Sequence, residues 1–138
     1  MPPRVSNIAS ISSSSSAEFY MFPCEGRITQ GLHYYNAIDI ANKCGTTPVV
    51  AAAGGTIQRT GFDRVGGNRI TILHSNGVVT YYGHLSKMLV IPGQPVNTGD
   101  IIGYIGKTGY ATGCHLHFAV IGAKNFLSKY PLGSHISW

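Results

Sequence analysis

Acidic residues are scarce in this sequence. Of 138 residues only five are Asp or Glu, against ten Lys and Arg, and the formal net charge is +5. Such an excess of positive charge attracts a protein to polyanions. The basic residues are nevertheless scattered, without a run or a helical stripe, so no motif supports nucleic acid as a partner.

Long apolar runs are also missing. No stretch approaches the roughly 20 residues that span a membrane, so stable membrane insertion is not expected. The opening Met1-Pro-Pro-Arg4 does not have the pattern of a signal peptide. The serine run at 12–16 predicts a flexible linker over residues 1–17, followed by one domain over 18–138. Composition leaves the oligomeric state open, with a monomer favoured.

Cysteine occurs three times, without a Cys-x-x-Cys pair, which argues against a cysteine-bound metal. A disulfide between Cys24 and Cys44 would close a loop worth about 3 kcal/mol in the chain-entropy model. Three independent buried thiols are an equally good interpretation of the spacing.

Helical periodicity is absent as well, since no segment carries ten residues of a convincing 3.6-residue repeat. Short apolar runs separated by many of the 18 glycines predict a mostly β domain instead. Ser75-Asn76-Gly77 is a hairpin signal between two such runs. The predicted strands cover residues 48–53, 68–74, 78–82, 92–96, 101–105 and 115–121.

The six histidines are the main candidates for metal-binding or catalytic residues. His115 and His117 are two apart on a predicted strand, so both rings point to the same face. Leu116 and Phe118 would then fill the opposite, buried face. Such a pair brings two imidazoles to one metal or pocket, although two satisfied polar residues on an exposed face fit the pattern equally.

Upstream, His33 and Asp39 lie close in sequence. Two histidines with one aspartate would leave the fourth position of a tetrahedral zinc open for water. With Asp39 as a ligand, proton transfer would fall to a histidine, either His84 or the non-ligating member of the His115 and His117 pair.

Two further histidines have simpler interpretations. His74 precedes the predicted hairpin turn, and His135 lies three residues from the end of the sequence without a partner nearby. Both are expected to be structural.

Taken together, the motifs resemble the lysostaphin-like, or LytM-type, family of zinc peptidases. They follow the family's order over about residues 22–121. The matching segments are Gly31-Leu-His33 with Asp39-Ile-Ala41, Pro48-Val-Val-Ala-Ala-Ala53-Gly54, Tyr81-Tyr-Gly-His-Leu85, Pro92-Gly-Gln-Pro-Val96 with Thr98-Gly99, and Thr108-Gly109 with Gly113-Cys-His-Leu-His-Phe118.

The resemblance implies a small antiparallel β-sheet domain, related to barrel-sandwich folds, with its site in a groove. One Zn²⁺ would be held by His33, Asp39 and His117, and His84 and His115 would be the catalytic pair beside it. The implied reaction is zinc-assisted hydrolysis of peptide cross-links in bacterial peptidoglycan, with histidine as acid and base. Such an enzyme would be extracellular or periplasmic and associated with the cell wall.

One departure from the family lies between the first two ligands. The family commonly spaces this histidine and aspartate by three residues, whereas five separate His33 from Asp39. The two extra residues fall within Tyr34, Tyr35 and Asn36, which would bulge as a loop. These residues would either line the substrate groove or simply pack the loop.

Two other functions compete with the enzyme. A non-catalytic relative that binds the wall and regulates another hydrolase would typically have lost metal ligands, and all five positions are filled here. Residues 92–102 also resemble biotinyl or lipoyl carrier domains. Those carriers need a lysine at a symmetric hairpin tip, and Lys87-Met88 is only a distant approach to one.

Overall fold

The computed structural model describes residues 20–33 and 36–138, and within these ranges the regular secondary structure is almost entirely β. The predicted linker at 1–17 and the loop residues Tyr34 and Tyr35 lie outside them. The described part has one short 3-10 helix at Phe126–Lys129, and none of its helices has the length and hydropathy of a membrane span. The strands are β1 Gly26–His33, β2 Ala37–Ala41, β3 Pro48–Val50, β4 Gly55–Asp63, β5 Gly67–Leu73, β6 Val79–Leu85, β7 Lys87–Met88, β8 Pro95–Val96, β9 Ile101–Tyr104, β10 His115–Ile121 and β11 His135–Ile136.

The strands form two antiparallel sheets. The larger has the order β11-β1-β2-β10-β6-β5-β4-β8, and the smaller has the order β3-β9-β7. Because β10 comes late in the chain but pairs with β2 and β6, it brings early and late parts of the described chain together. The mostly β, antiparallel fold predicted from the sequence is confirmed.

The core lies where the inner faces of both sheets meet. On β10, Leu116 and Phe118 are fully buried while the histidines that alternate with them remain partly accessible. Ile102 of β9 and Val49 of β3 belong to the same buried cluster as these two residues. The alternation expected for β10 is therefore present, with the apolar face inward.

A chain of hydrogen bonds runs through this core from β6 to the turn before β4. His74 Nδ1 faces the Gly54 carbonyl at 2.7 Å, so this nitrogen carries the ring hydrogen and Nε2 accepts from Thr80 Oγ1 at 2.8 Å. Thr80 in turn accepts from the Tyr82 hydroxyl at 2.8 Å, and Tyr82 accepts from the Ala52 N–H at 3.0 Å. His74 is thus structural, as the hairpin position indicated.

The disulfide differs from the pairing considered from the sequence. Cys44 is bonded to Cys114, and Cys24 is a free, buried thiol. Cys44 follows β2 and Cys114 directly precedes β10, which are neighbouring strands in the sheet. Sheet pairing, rather than sequence distance, decides which cysteines meet, and neither interpretation left open by the sequence, a Cys24–Cys44 bridge or three independent thiols, is the one found.

Removing this disulfide should weaken the fold. A loop closed over a sequence separation of 70 residues corresponds to about 4 kcal/mol in the chain-entropy model. We expect the double variant Cys44→Ser, Cys114→Ser to lose about this much free energy of unfolding in urea titrations. Reductant should lower the free energy of unfolding of the wild type to that of the variant, and it should leave the stability of the variant unchanged. A variant as stable as the oxidised wild type would contradict the expectation.

Protonation of His74 should also weaken the fold. Burial lowers the pKa of His74, only partly opposed by the hydrogen bond to Gly54, so its folded pKa lies below the unfolded value. A depressed histidine pKa contributes stability above the unfolded pKa of about 6.5, and this contribution is lost as pH falls through the folded pKa. In urea titrations from pH 7.5 to about 5, the wild type should therefore lose more stability than His74→Gln. Parallel losses in the two proteins would contradict this role.

Candidate metal centre

Three neighbouring strands place the predicted metal ligands in one row. His117 of β10 lies directly opposite Asp39 of β2 on one side and Gly83 of β6 on the other. Side chains that are directly opposite in an antiparallel pair share a face, so Asp39 and His117 point the same way. His33 ends β1, the other neighbour of β2. Two histidines that are 84 residues apart in sequence therefore meet.

The donor atoms of these residues are spaced for a tetrahedral metal. His117 Nδ1 lies 3.1 Å from Asp39 Oδ1, His33 Nε2 lies 3.5 Å from the same oxygen, and the two ring nitrogens are 3.4 Å apart. Zinc bonds of about 2.0–2.1 Å in a tetrahedron separate neighbouring ligand atoms by about 3.3 Å. The spacing of the donor atoms in the cluster of His33, Asp39 and His117 therefore matches that of zinc ligands.

Asp39 supplies the negative charge of the cluster. Its side chain is 11% exposed. Burial acts to raise the pKa of Asp39, but the hydrogen bond from His117 and the proximity of the His115, His117 and His33 rings outweigh it, so the pKa lies below its usual range. The carboxylate is therefore ionised at neutral pH, as a metal ligand must be.

Backbone carbonyls orient the site imidazoles. His33 Nδ1 donates to the Gly31 carbonyl at 2.9 Å, His84 Nδ1 to Thr108 at 2.8 Å, and His115 Nδ1 to Gly113 at 3.1 Å. Since a carbonyl oxygen can only accept, each of these rings carries its hydrogen on Nδ1 when neutral. Nε2 of each is left with a lone pair, which suits it to bind a metal or accept a proton.

His84 reaches the site through an irregularity in its strand. Between β5 and β6 the register shifts, so that Gly83 and His84 face the single residue Arg69. His84 has a φ of 63°, in the left-handed region that costs a residue other than glycine about 1–3 kcal/mol. A bulge of this kind re-aims a side chain. The His84 ring lies 4.8 Å, centre to centre, from that of His115.

The environment of His84 keeps it neutral. Burial lowers the pKa of His84, and the nearby His115 and His117 rings lower it further, while the hydrogen bond to Thr108 and the Asp39 carboxylate act the other way. The net direction is downward. At neutral pH its Nε2 lone pair is therefore available as a base.

His115 lies between the cluster and His84. Its Nε2 is 3.6 Å from Asp39 Oδ2, on the other carboxylate oxygen from the one that faces His33 and His117. All five residues predicted for the site, His33, Asp39, His84, His115 and His117, are thus brought together. His135, on the peripheral strand β11, is exposed and belongs elsewhere.

Asn36 has a different environment from the one expected for a groove residue. Its side-chain amide donates to the carbonyls of Val120 at 2.9 Å and Ala123 at 2.8 Å, and its φ is 56°. These contacts serve loop packing. A substrate contact by Asn36, like one by Tyr34 or Tyr35, stays a prediction.

Tyr81 is a site residue that the sequence did not single out. Its ring meets His117 edge-on with a centroid distance of 5.9 Å. Gly83 and Gly66 leave room for this ring, since a Cβ at Gly83 would be 2.9 Å from it and one at Gly66 would collide with the hydroxyl. Two glycines near a histidine motif are a weak signal for such packing, because glycine also serves turns.

The site lies within a segment that known proteins share. A family model described as Peptidase family M23 matches residues 33–128, more than half of the chain. The chain belongs to peptidase family M23. The lysostaphin-like resemblance of the sequence is therefore confirmed, and the match includes all five residues of the site.

This M23 chain is 40% identical to peptidoglycan DD-endopeptidase ShyA of Vibrio cholerae over 94 residues, which cover 68% of the chain and 22% of ShyA. The catalytic domain of the antimicrobial peptidase lysostaphin from Staphylococcus simulans aligns with a TM-score of 0.61 and 30% identity, covering 89% of this chain and 93% of that domain. A zinc-containing peptidase from Vibrio cholerae aligns with a TM-score of 0.65 and 34% identity, covering 70% of this chain and 33% of that peptidase chain. The chain spans 32% or less of the length of the first curated relatives that it matches.

Proposed function

We propose that this chain is a zinc-dependent endopeptidase that hydrolyses peptide cross-links of bacterial peptidoglycan. The observation that carries the proposal is the set of three ligand atoms 3.1–3.5 Å apart, with two further imidazoles presenting Nε2 beside it. Support for the substrate comes from ShyA, which is named a peptidoglycan DD-endopeptidase. Because peptidoglycan lies outside the cell membrane, the proposed location is extracellular or periplasmic.

The donors that would hold the metal are His33 Nε2, one carboxylate oxygen of Asp39 and His117 Nδ1. One zinc ion per chain would suit these donors, and three protein ligands are the number typical of catalytic zinc sites. When bound, zinc supplies Lewis-acid chemistry: it polarises a carbonyl and lowers the pKa of a coordinated water toward about 7.

His84 and His115 carry out the proton transfers. One ring accepts the proton of the attacking water at its Nε2 lone pair. The other, when it carries a hydrogen on both nitrogens, donates Nε2–H to the oxygen that becomes negative as the tetrahedral intermediate forms. The proton then passes to the leaving amine, which completes the cleavage. The backbone carbonyls of Thr108 and Gly113 occupy Nδ1 of both rings, which leaves Nε2 as the nitrogen for proton transfer.

Substitutions should separate metal binding from proton transfer. We expect His117→Ala to lose both zinc and activity, because a ligand is removed. His115→Ala should keep about one zinc per chain and lose roughly 10²–10⁴-fold in rate. Zinc content by elemental analysis and clearance of peptidoglycan sacculi measure the two properties, and His135→Ala, on an exposed edge strand, is the matched control. A His115→Ala variant with the native rate would refute the assigned roles.

Removal of the metal should abolish hydrolysis reversibly. We expect a chelator to stop the clearance of sacculi and added zinc to restore it, with the elemental content of the protein following in parallel. Clearance that persists after the zinc has been removed would overturn the metal mechanism. Bound zinc without release of peptide fragments from any wall type would favour the non-catalytic, wall-binding alternative.

A further inference from the structure

The turn between β4 and β5, residues 63–67, lies against the backbone of His84. The Gly66 carbonyl accepts the His84 N–H at 2.7 Å. In the same turn, Gly67 is packed so closely on Thr108 that a Cβ would collide with the Thr108 carbonyl. That carbonyl is the acceptor for His84 Nδ1. The turn therefore contacts both the backbone of His84 and the group that orients its ring.

Asp63 holds this turn in shape. Its Oδ1 accepts the N–H groups of Val65 at 2.9 Å and Gly66 at 2.7 Å, and its Oδ2 accepts from Arg69 Nε at 2.8 Å. The Arg69 hydrogen bond, followed by that from Gly66, keeps the pKa of Asp63 below its usual range. A single ionised side chain thus holds the N–H of Gly66, the residue whose carbonyl accepts the His84 N–H.

His84 needs such support because its backbone is left-handed, with a φ of 63°. A strained conformation of this kind persists only where surrounding groups determine it. Two hydrogen bonds do so here, from the N–H to Gly66 and from Nδ1 to Thr108. Loss of the first would let the bulge relax, and the Nε2 lone pair would then turn away from the cluster.

We propose that Asp63 is a positioning residue for His84, acting through the Gly66 carbonyl and the Thr108 carbonyl. It does not touch the reacting atoms. The inference rests on the proposed function, because the value of an ordered His84 lies in its proton transfer. Its structural part, that Asp63 sets the orientation and tautomer of the His84 ring, stands whether or not the chain cleaves peptidoglycan.

A general loss of folding is a weak competitor, because Asp63 is at the tip of the hairpin. Its side chain is 47% exposed, and the pairing of β4 with β5 continues from Phe62 and Asn68 down to Thr56 and Leu73. Asp63→Ala should therefore leave the sheet, and with it the metal ligands, in place.

The test compares Asp63→Ala with Asp63→Asn and with Asp100→Ala in the full chain. Asparagine can still accept the two turn N–H groups, so Asp63→Asn should keep the turn, and with it His84, in the native position. Asp100 is the control, because its Oδ2 also accepts a turn N–H, that of Asn97 at 2.7 Å, but in the separate turn between β8 and β9. Zinc content should be equal in the wild type and all three variants.

Two readouts distinguish positioning from a merely structural role. In proton–nitrogen correlation spectra of the histidine rings, His84 should be the Nδ1–H tautomer in the wild type, Asp63→Asn and Asp100→Ala, and a mixture of tautomers in Asp63→Ala. With a soluble cross-link peptide, kcat of Asp63→Ala should fall roughly ten- to a hundredfold, since misplacement of about 1 Å can cost that much. KM should stay within about twofold, as expected for a group that acts only in the transition state.

The outcomes separate the role of Asp63 from the proposed function. Native His84 spectra in Asp63→Ala, equal loss in Asp100→Ala, or failure of Asp63→Asn to recover would each overturn the positioning role. If the wild type cleaves no wall peptide, the proposed function fails, and the His84 spectra alone decide the role of Asp63. A changed tautomer in Asp63→Ala, with native spectra in both Asp63→Asn and Asp100→Ala, would support it.

Discussion

The site depends on the position of β10 between β2 and β6. This antiparallel pairing sets His117 opposite both Asp39 and Gly83, so that ligand atoms from distant parts of the chain come within 3.1–3.5 Å of one another. A slip of one residue in either register would turn His117 to the buried face and Phe118 outward. Burial of the apolar side of β10 therefore fixes the register that sets the positions of its polar side chains. The Cys44–Cys114 disulfide links the chain just after β2 to the residue just before β10.

Backbone groups do much of the orienting in this structure. Three site imidazoles donate Nδ1–H to carbonyls of Gly31, Thr108 and Gly113, an arrangement that costs no additional side chains. Carbonyl acceptors cannot exchange the direction of a hydrogen bond, so they determine the tautomer as well as the ring position. The turn at Asp63 adds to this orientation, since its Gly66 carbonyl accepts the His84 N–H.

Local patterns were sufficient for part of the fold. Alternation with a hairpin signal predicted β5 and β6, and His-x-His with buried Leu116 and Phe118 predicted β10 and its two faces. β1 and β4 were not predicted, because they are largely exposed and show little apolar alternation. The disulfide could not be assigned from the sequence, because it is the sheet order, which spacing does not reveal, that brings Cys44 to Cys114.

The amino-acid sequence by itself determined which groups are available: five site residues of the types that bind zinc or move protons, on strands whose period places His115 and His117 on one face. Only the tertiary structure decided how these groups are used. The distances between the candidate ligand atoms, the bulge that turns His84 toward the site and the Thr108 carbonyl that sets its tautomer arise from contacts between separate strands and loops. Periodicity describes one strand at a time, and it carries no information about such contacts.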